Sequence, residues 1–366
     1  MFAGTPRGGI SRALYVRAFR PMLAITSECD TAPERPQCCR ETILVEIARQ
    51  SVDVNGRRFS CLAAGDSGPL VLFCHGFPEL ALSWRHQLPA VAAAGFRVLA
   101  PDMRGYGETG GPQEIDAYTI FDLIGDAVGL VKAEGASQAI IVGHDWGAAV
   151  AWHAALLRPD IFTAVCAMSV PYQPRRPGKK PIETYRKIAE EKKLGEFYIV
   201  AFQDVGRGET DFEEDVDRTM RAMFGGIGDR GVESDRFSIF GPPGRRLLEK
   251  HTRRPLPAWL DADTFAAFVD AFKREGFRRP LNWYRNIDRN FDLMAPFQDL
   301  RIAQPALFIT GETDPVRLFA GAAEQALAGH LPNLRGVHVI EGAGHWVQQE
   351  VPDKVNTALL GFLRSL

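Results

Sequence analysis

Long apolar runs are missing from this 366-residue chain. No segment approaches the roughly 20 consecutive apolar residues that a membrane helix needs, so a transmembrane helix is excluded. A surplus of either charge is missing too. Forty-three Lys and Arg stand against 45 Asp and Glu, a formal net charge of -2, which leaves no electrostatic case for a nucleic-acid partner. Cysteine is sparse and unpatterned: the six (Cys29, Cys38, Cys39, Cys61, Cys74 and Cys166) form no C-x-x-C pair. That argues against a structural zinc site and for free thiols in a reduced, cytoplasmic compartment. No P-loop, H-E-x-x-H or EF-hand pattern occurs, so neither cofactor nor metal is expected. A literal G-x-G-x-x-G does occur at Gly105, Gly107 and Gly110, but Gly111-Pro112 follows where a helix would have to begin. It fails as a dinucleotide site on that context.

What is present begins after about residue 41. The first stretch places Arg7, Arg12, Arg17 and Arg20 ahead of the first acidic residue, Glu28, with Pro, Gly and Cys breaking any periodicity. A disordered N-terminal extension is expected over 1–41, with an organelle-targeting segment as the lesser reading. From Val45 the pattern is regular. Val45 to Val54 and Arg58 to Ala64 are joined by Asn55-Gly56, a two-residue hairpin signal. Apolar strands over Leu70–Cys74, Phe96–Ala100, Ile140–Gly143 and Thr163–Val170 then alternate with helices over Trp84–Ala94, Tyr118–Glu134 and the segment after Asp145. Continuously apolar strands are buried on both faces, as in a parallel sheet flanked by helices.

Alternation stops after Pro171 and resumes with strand Ala306–Thr310, helix Arg317–Ala328, strand Gly336–Ile340 and helix Lys354–Leu366. The expected organisation is an α/β core in two parts, 42–171 and 292–366, with a mostly helical lid inserted over 172–291.

The chain turns on Ile140-Ile141-Val142-Gly143-His144-Asp145-Trp146-Gly147-Ala148. A short apolar run, a bend between two glycines and an Ala-rich helix form the strand–turn–helix nucleophile elbow, with Asp145 where serine usually stands. A carboxylate needs no base before it attacks, since its unperturbed pKa is about 3.9. Attack on an acyl carbon would give only a labile anhydride, so the target is a saturated carbon bearing a leaving group. The intermediate is then an ester on the enzyme, and a second step must hydrolyse it.

The two resumed strands end in Gly311-Glu312-Thr313-Asp314 and Gly342-Ala343-Gly344-His345. Functional groups collect beyond the carboxyl ends of strands in open α/β sheets. Nucleophile, acid and base in the order Asp145, Asp314, His345 is the order of the α/β-hydrolase triad. His144 is expected to point away from the nucleophile, and His86, His153, His251, His330 and His338 to be structural or solvated. The turn at His75-Gly76-Phe77-Pro78 presents backbone N–H groups, and that of Phe77 with that of Trp146 would make an oxyanion hole.

These segments together resemble the α/β-hydrolase-fold epoxide hydrolases over about Val45 to Leu366. The resemblance rests on His75-Gly76-Phe77-Pro78-Glu79, Ser83-Trp84-Arg85-His86-Gln87, Asp102-Met103-Arg104-Gly105-Tyr106-Gly107, Gly143-His144-Asp145-Trp146-Gly147 and Gly344-His345-Trp346. It implies hydrolysis of a small-molecule epoxide to a vicinal diol, in detoxification or lipid metabolism, and leaves a homodimer open. Opening the ring expels an alkoxide, a poor leaving group without a donor. Tyr172, Tyr185, Tyr198 and Tyr284 are the tyrosines of the inserted segment that could serve. The resemblance singles out Tyr198, in Phe197-Tyr198-Ile199-Val200-Ala201-Phe202-Gln203, and Tyr284, in Asn282-Trp283-Tyr284-Arg285-Asn286. Ile199 departs from it, because some relatives place a Gln there.

Two other readings use the same residues. A haloalkane or haloacid dehalogenase shares the Asp, the His and the Trp, but Phe77 stands where an Asn often holds the halide, and a leaving halide needs no tyrosine proton. A non-catalytic protein binding a small apolar ligand is the other. Serine-esterase chemistry is disfavoured by Asp145 itself.

Overall fold

Alternating strand and helix signals become, in a computed structural model of the protein, an eight-stranded sheet with a hydrophobic core on each face. The structure describes residues 45–226, 239–244, 246, 248 and 255–366. The expected N-terminal extension and His251 lie outside the described residues.

The sheet runs β1 (Ala48–Val54), β2 (Arg57–Ala64), β4 (Arg97–Pro101), β3 (Leu70–Cys74), β5 (Ala139–His144), β6 (Phe162–Met168), β9 (Ala306–Gly311), β10 (Leu334–Ile340). From β4 to β10 the strands are parallel, while β1 and β2 pair antiparallel with each other and β2 antiparallel with β4. The hairpin turns on Asn55 (φ 53°) and Gly56 (φ 75°), the positive-φ pair that a tight two-residue loop requires. Side chains alternate across the central strands: Leu70 and Leu72 enter one core, Val71 and Phe73 the other. The first core is closed by α2 (Ile120–Ala133) and α3 (Trp146–Leu157), the second by α1 (Gln87–Ala93) and the helix Pro352–Leu363. Burial on both faces fails at the rim. β10 is an edge strand, with Val337 and Val339 more than 40% exposed, because among the described residues no further strand pairs beyond it.

Two helices begin later than their apolar periodicity suggests. The expected Trp84–Ala94 helix divides into a 3-10 turn, Ala81–Trp84, and α1, since Pro89 is accommodated only in a first helical turn, where N–H groups are unpaired anyway. The expected start at Tyr118 moves to Ile120, where Thr119 and Asp122 form a reciprocal capping box.

Between β6 and β9 the chain forms α4 (Pro181–Glu191), β7 (Glu196–Phe197), α5 (Tyr198–Ala201), α6 (Arg207–Glu213), α7 (Val216–Gly226), β8 (Phe240–Gly241), α8 (Ala262–Glu275), α9 (Arg278–Arg285) and α10 (Ile287–Leu293). These elements meet the loops that leave the carboxyl ends of the strands. Trp283 Nε1 donates to Arg104 O at 3.0 Å, Asn282 Nδ2 to Gln113 O at 3.1 Å, and Asn286 Nδ2 to Ile115 O at 2.5 Å. The loop that carries the literal G-x-G-x-x-G is therefore the seat of α9. A Cβ on Gly105 would lie 2.9 Å from Tyr118 and 3.1 Å from Arg279 Cβ, so only glycine allows the approach. Among the described residues no helix is long and apolar enough to cross a membrane.

Candidate active site

At the end of β5 the backbone bends sharply into α3, and Asp145 at the bend takes φ 54°, ψ -120°, a conformation costly for a residue with a side chain. Three glycines make room for it. A Cβ on Gly143 would stand 2.0 Å from Gly147 O, one on Gly147 2.0 Å from Cys74 O, and one on Gly76 2.4 Å from Asp145 Oδ1. The carboxylate is thus held against the β3 loop, where the Phe77 N–H donates to Asp145 Oδ1 at 2.9 Å. Trp146 opens α3, where the first N–H groups have no intrahelical acceptor.

The imidazole of His345 stands between two carboxylates. Its Nε2 is 3.6 Å from Asp145 Oδ2, and its Nδ1 is 3.1 and 3.2 Å from the two oxygens of Asp314. Asp314 caps α11 (Pro315–His330) by accepting from Val316 N–H at 2.9 Å, which orients its carboxylate. Burial opposes charge on both members of the pair. The attraction between them prevails, so Asp314 is held below the ordinary carboxylate range. With Asp145 adding its charge, His345 is raised well above the usual imidazole value.

A second buried network, to which the sequence pattern assigns no task, holds this imidazole in place. The carbonyl of His345 accepts from His144 Nε2 and from Ser169 Oγ, both at 2.8 Å. His144 Nδ1 meets Glu79 Oε2 at 2.7 Å, so both ring nitrogens face acceptors. Glu79, fully buried, also receives Gly76 N–H at 2.9 Å, Gln348 at 3.0 Å and Gln349 at 3.1 Å. Burial works against its ionisation, but His144 and these donors outweigh it and bring its pKa down to about 2. One carboxylate thus ties the 75–79 turn, the elbow and the 345–349 loop together. The available signal was a Glu inside an otherwise apolar, Gly-Pro turn. His144 does point away from Asp145, as expected, but toward a task. His75 is a satisfied structural group: Nδ1–H donates to Gly76 O at 2.9 Å, Nε2 accepts from Met103 N–H at 2.9 Å, and burial lowers its pKa.

Across from Asp145 stand both tyrosines singled out above. Tyr198 begins α5 and Tyr284 lies in α9, their ring centroids 6.2 Å apart. The Tyr284 ring meets Trp146 edge-on at 5.1 Å and Phe77 at 5.4 Å. The two rings meet edge to face, at 70°. Burial first, and the charge of Asp145 after it, push both phenols above their ordinary pKa, so both remain donors. Gln203 fixes their spacing, because its Nε2 donates to Ile199 O at 3.0 Å and to Tyr284 O at 3.1 Å, linking α5 to α9.

Asp145, His345, Trp146, Phe77, Tyr198 and Tyr284 share one cavity of about 1070 Å³. Tyr172 and Tyr185 line it as well, and so do His153 and His330, which the sequence pattern suggests to be structural or solvated. Among the described residues no three His, Cys, Asp or Glu side chains gather into a metal-binding set.

The fold is shared with known proteins. A family model of the alpha/beta hydrolase fold matches residues 69–195. Epoxide hydrolase A of Mycobacterium tuberculosis is 43% identical over 321 residues, 86% of this chain and 97% of that protein. Among solved structures, an epoxide hydrolase from an endophytic Streptomyces superposes with a TM-score of 0.83 at 41% identity, covering 87% of this chain and 96% of the other. Epoxide hydrolase A of Mycobacterium thermoresistibile gives 0.81 at 42% identity, covering 88% and 99%.

Proposed function

The chain belongs to the α/β-hydrolase-fold epoxide hydrolases and opens epoxides with water, and from that premise we propose how its own residues divide the work. The carrying observation is that one carboxylate, Asp145, faces an imidazole on one side and two protonated phenols on the other within a single cavity. The helical segment over 172–291 acts as the lid that brings the phenols there.

Phe77 N–H occupies Asp145 Oδ1, which leaves Oδ2 to attack a ring carbon. The C–O bond breaks, and the departing oxygen takes a proton from the phenol pair of Tyr198 and Tyr284. Such donors act where charge develops, which is what accelerates a step. The product is a glycol monoester of Asp145 and a phenolate. Alkylation also cancels the charge of Asp145, one of the two that hold the proton on His345. With that attraction reduced the imidazolium gives its proton to solvent water, to be regained when the Asp145 charge returns, and the neutral ring is ready as a base for the next step.

His345, oriented by Asp314, then takes a proton from water as the oxygen attacks the ester carbon. The Phe77 and Trp146 N–H groups hold the oxyanion. Collapse expels the diol oxygen, which recovers the proton from His345. The second water proton, left on the regenerated carboxyl, restores the phenol. The dehalogenase reading gains no support, since two phenol donors have no task against a leaving halide. The buried free thiols Cys61, Cys74 and Cys166 support a reducing, cytoplasmic setting.

The test is diol formation from a panel of aryl, terminal and fatty-acid epoxides, with Asp145→Ala as the blank. Wild-type protein is expected to convert at least one class and the variant none. Equal conversion by the variant would overturn the assignment of Asp145.

A further inference from the structure

One side of α3 continues the cavity well beyond the reacting groups. Of the helix's twelve residues, only Trp146, Ala149, His153 and Leu157 escape full burial. The first three fall at the spacing that aligns side chains along one helix face, and all three line the cavity that holds Asp145. Ala149 contributes only a methyl, so the space runs on past the nucleophile. At 1.5 Å per residue, the eight residues from Asp145 to His153 span about 12 Å.

The far end of this arm is polar. His153 Nδ1 lies 2.7 Å from Ala149 O; a carbonyl only accepts, so Nδ1 carries the hydrogen and Nε2 keeps a lone pair. Burial lowers the pKa of this ring, which keeps it neutral. Tyr172, 4% exposed, lies edge-on to it at 6.4 Å between ring centroids and is flanked by Trp152 at 6.1 Å. The indole N–H of Trp152 is already bonded to Val170 O at 3.0 Å. Neither His153 Nε2 nor the Tyr172 hydroxyl has a hydrogen-bond partner among the described residues. An acceptor and a donor thus sit side by side on this arm of the cavity, with His330 on the other side of Tyr172 at 6.5 Å between ring centroids.

We propose that His153 and Tyr172 form a recognition site for a hydroxyl group carried by the substrate about 12 Å, two helical turns, from its epoxide. The proposal rests on the epoxide hydrolase reading and deepens it. A hydroxyl satisfies both groups at once, donating to Nε2 and accepting from the phenol. A carboxylate has no hydrogen to offer the lone pair, and a methyl leaves both partners unpaired, the situation that sites built for hydrogen bonding reject most strongly.

The experiment compares kcat/KM for terminal epoxides of increasing chain length, each as a hydroxyl-ended and a methyl-ended partner, on wild type, His153→Phe and Tyr172→Phe. The hydroxyl:methyl ratio is expected to peak, at tenfold or more, at the chain length that spans the arm. It is expected to fall at least tenfold in each variant, while the methyl-ended partners change by less than a few fold. Tyr172→Phe keeps the ring and serves if His153→Phe does not fold. A ratio that is flat with chain length, or the same in wild type and variants, would overturn the site. No turnover of either partner by wild type would instead remove the epoxide reading, and the site with it.

Discussion

Replacing Tyr284 by Phe deletes one hydroxyl and leaves the ring packed edge-on against Trp146, Phe77 and Phe202, whose centroids lie 5.1, 5.4 and 5.0 Å away. What is lost is therefore a donor, not packing. Removing one donor from a dry site of this kind costs about 2.7–4 kcal/mol, roughly 100- to 1000-fold in rate. Because the two rings pack edge to face and serve one oxygen, their contributions are coupled, and the Tyr198→Phe, Tyr284→Phe double variant is expected to depart from the sum of the singles. The loss belongs to one step only. Stopped-flow fluorescence of Trp146, next to the nucleophile, reads alkylation, and the decay of preformed ester reads hydrolysis. Alkylation is expected to slow about 100-fold or more in each single variant, with hydrolysis changed by no more than a few fold. Normal alkylation with slow hydrolysis would refute the assignment of the phenols to ring opening.

Ester hydrolysis needs an unprotonated His345, and in the ester Asp314 still favours its proton after the charge of Asp145 is gone, so the hydrolytic rate is expected to climb with pH while alkylation, served by phenols held above their ordinary pKa, persists into the alkaline range. Quenched samples should therefore carry more ester at pH 5 than at pH 8, and the reverse order would contradict the charge assignment. Glu79→Gln removes a carboxylate whose pKa falls from 4.5 to about 2, a stabilisation of roughly 3 kcal/mol. The sign follows from a depressed pKa: the contribution is present above pH 4.5 and is lost as pH falls toward 2. The urea midpoint of the variant should lie below that of wild type at pH 7, and the gap should close in acid. A pH-independent gap would mean that Glu79 acts only through packing.

The juxtaposition of the proposed triad is legible in one dimension because each member follows a strand: β5, β9 and β10 deliver Asp145, Asp314 and His345 to one end of the sheet in a fixed order. Glycines that clear space for a bend are equally visible, since a two-residue period around Asp145 serves no other purpose. The phenols carried no such marker. Four tyrosines in a charged helical segment look alike until α5 and α9 fold over the cavity, and only resemblance separated Tyr198 and Tyr284 from the rest. Glu79, His144 and Ser169 were hidden for a related reason. Their partners lie as far as 270 residues away, and burial that turns a polar side chain into an anchor is a long-range property. His153 shows the reverse case. A lone His on an apolar helix reads as structural, and its place at the end of a corridor depends on Ala149 being small and on the helix face that meets the cavity.

The covalent ester on Asp145 is tested most directly by the intact mass of His345→Ala after incubation with saturating styrene oxide, followed by peptide mapping. The expected result is a protein heavier by one substrate, with the added mass on the peptide that contains Asp145 and persisting for lack of a base. Unmodified protein, or the added mass on a peptide without Asp145, would contradict the account.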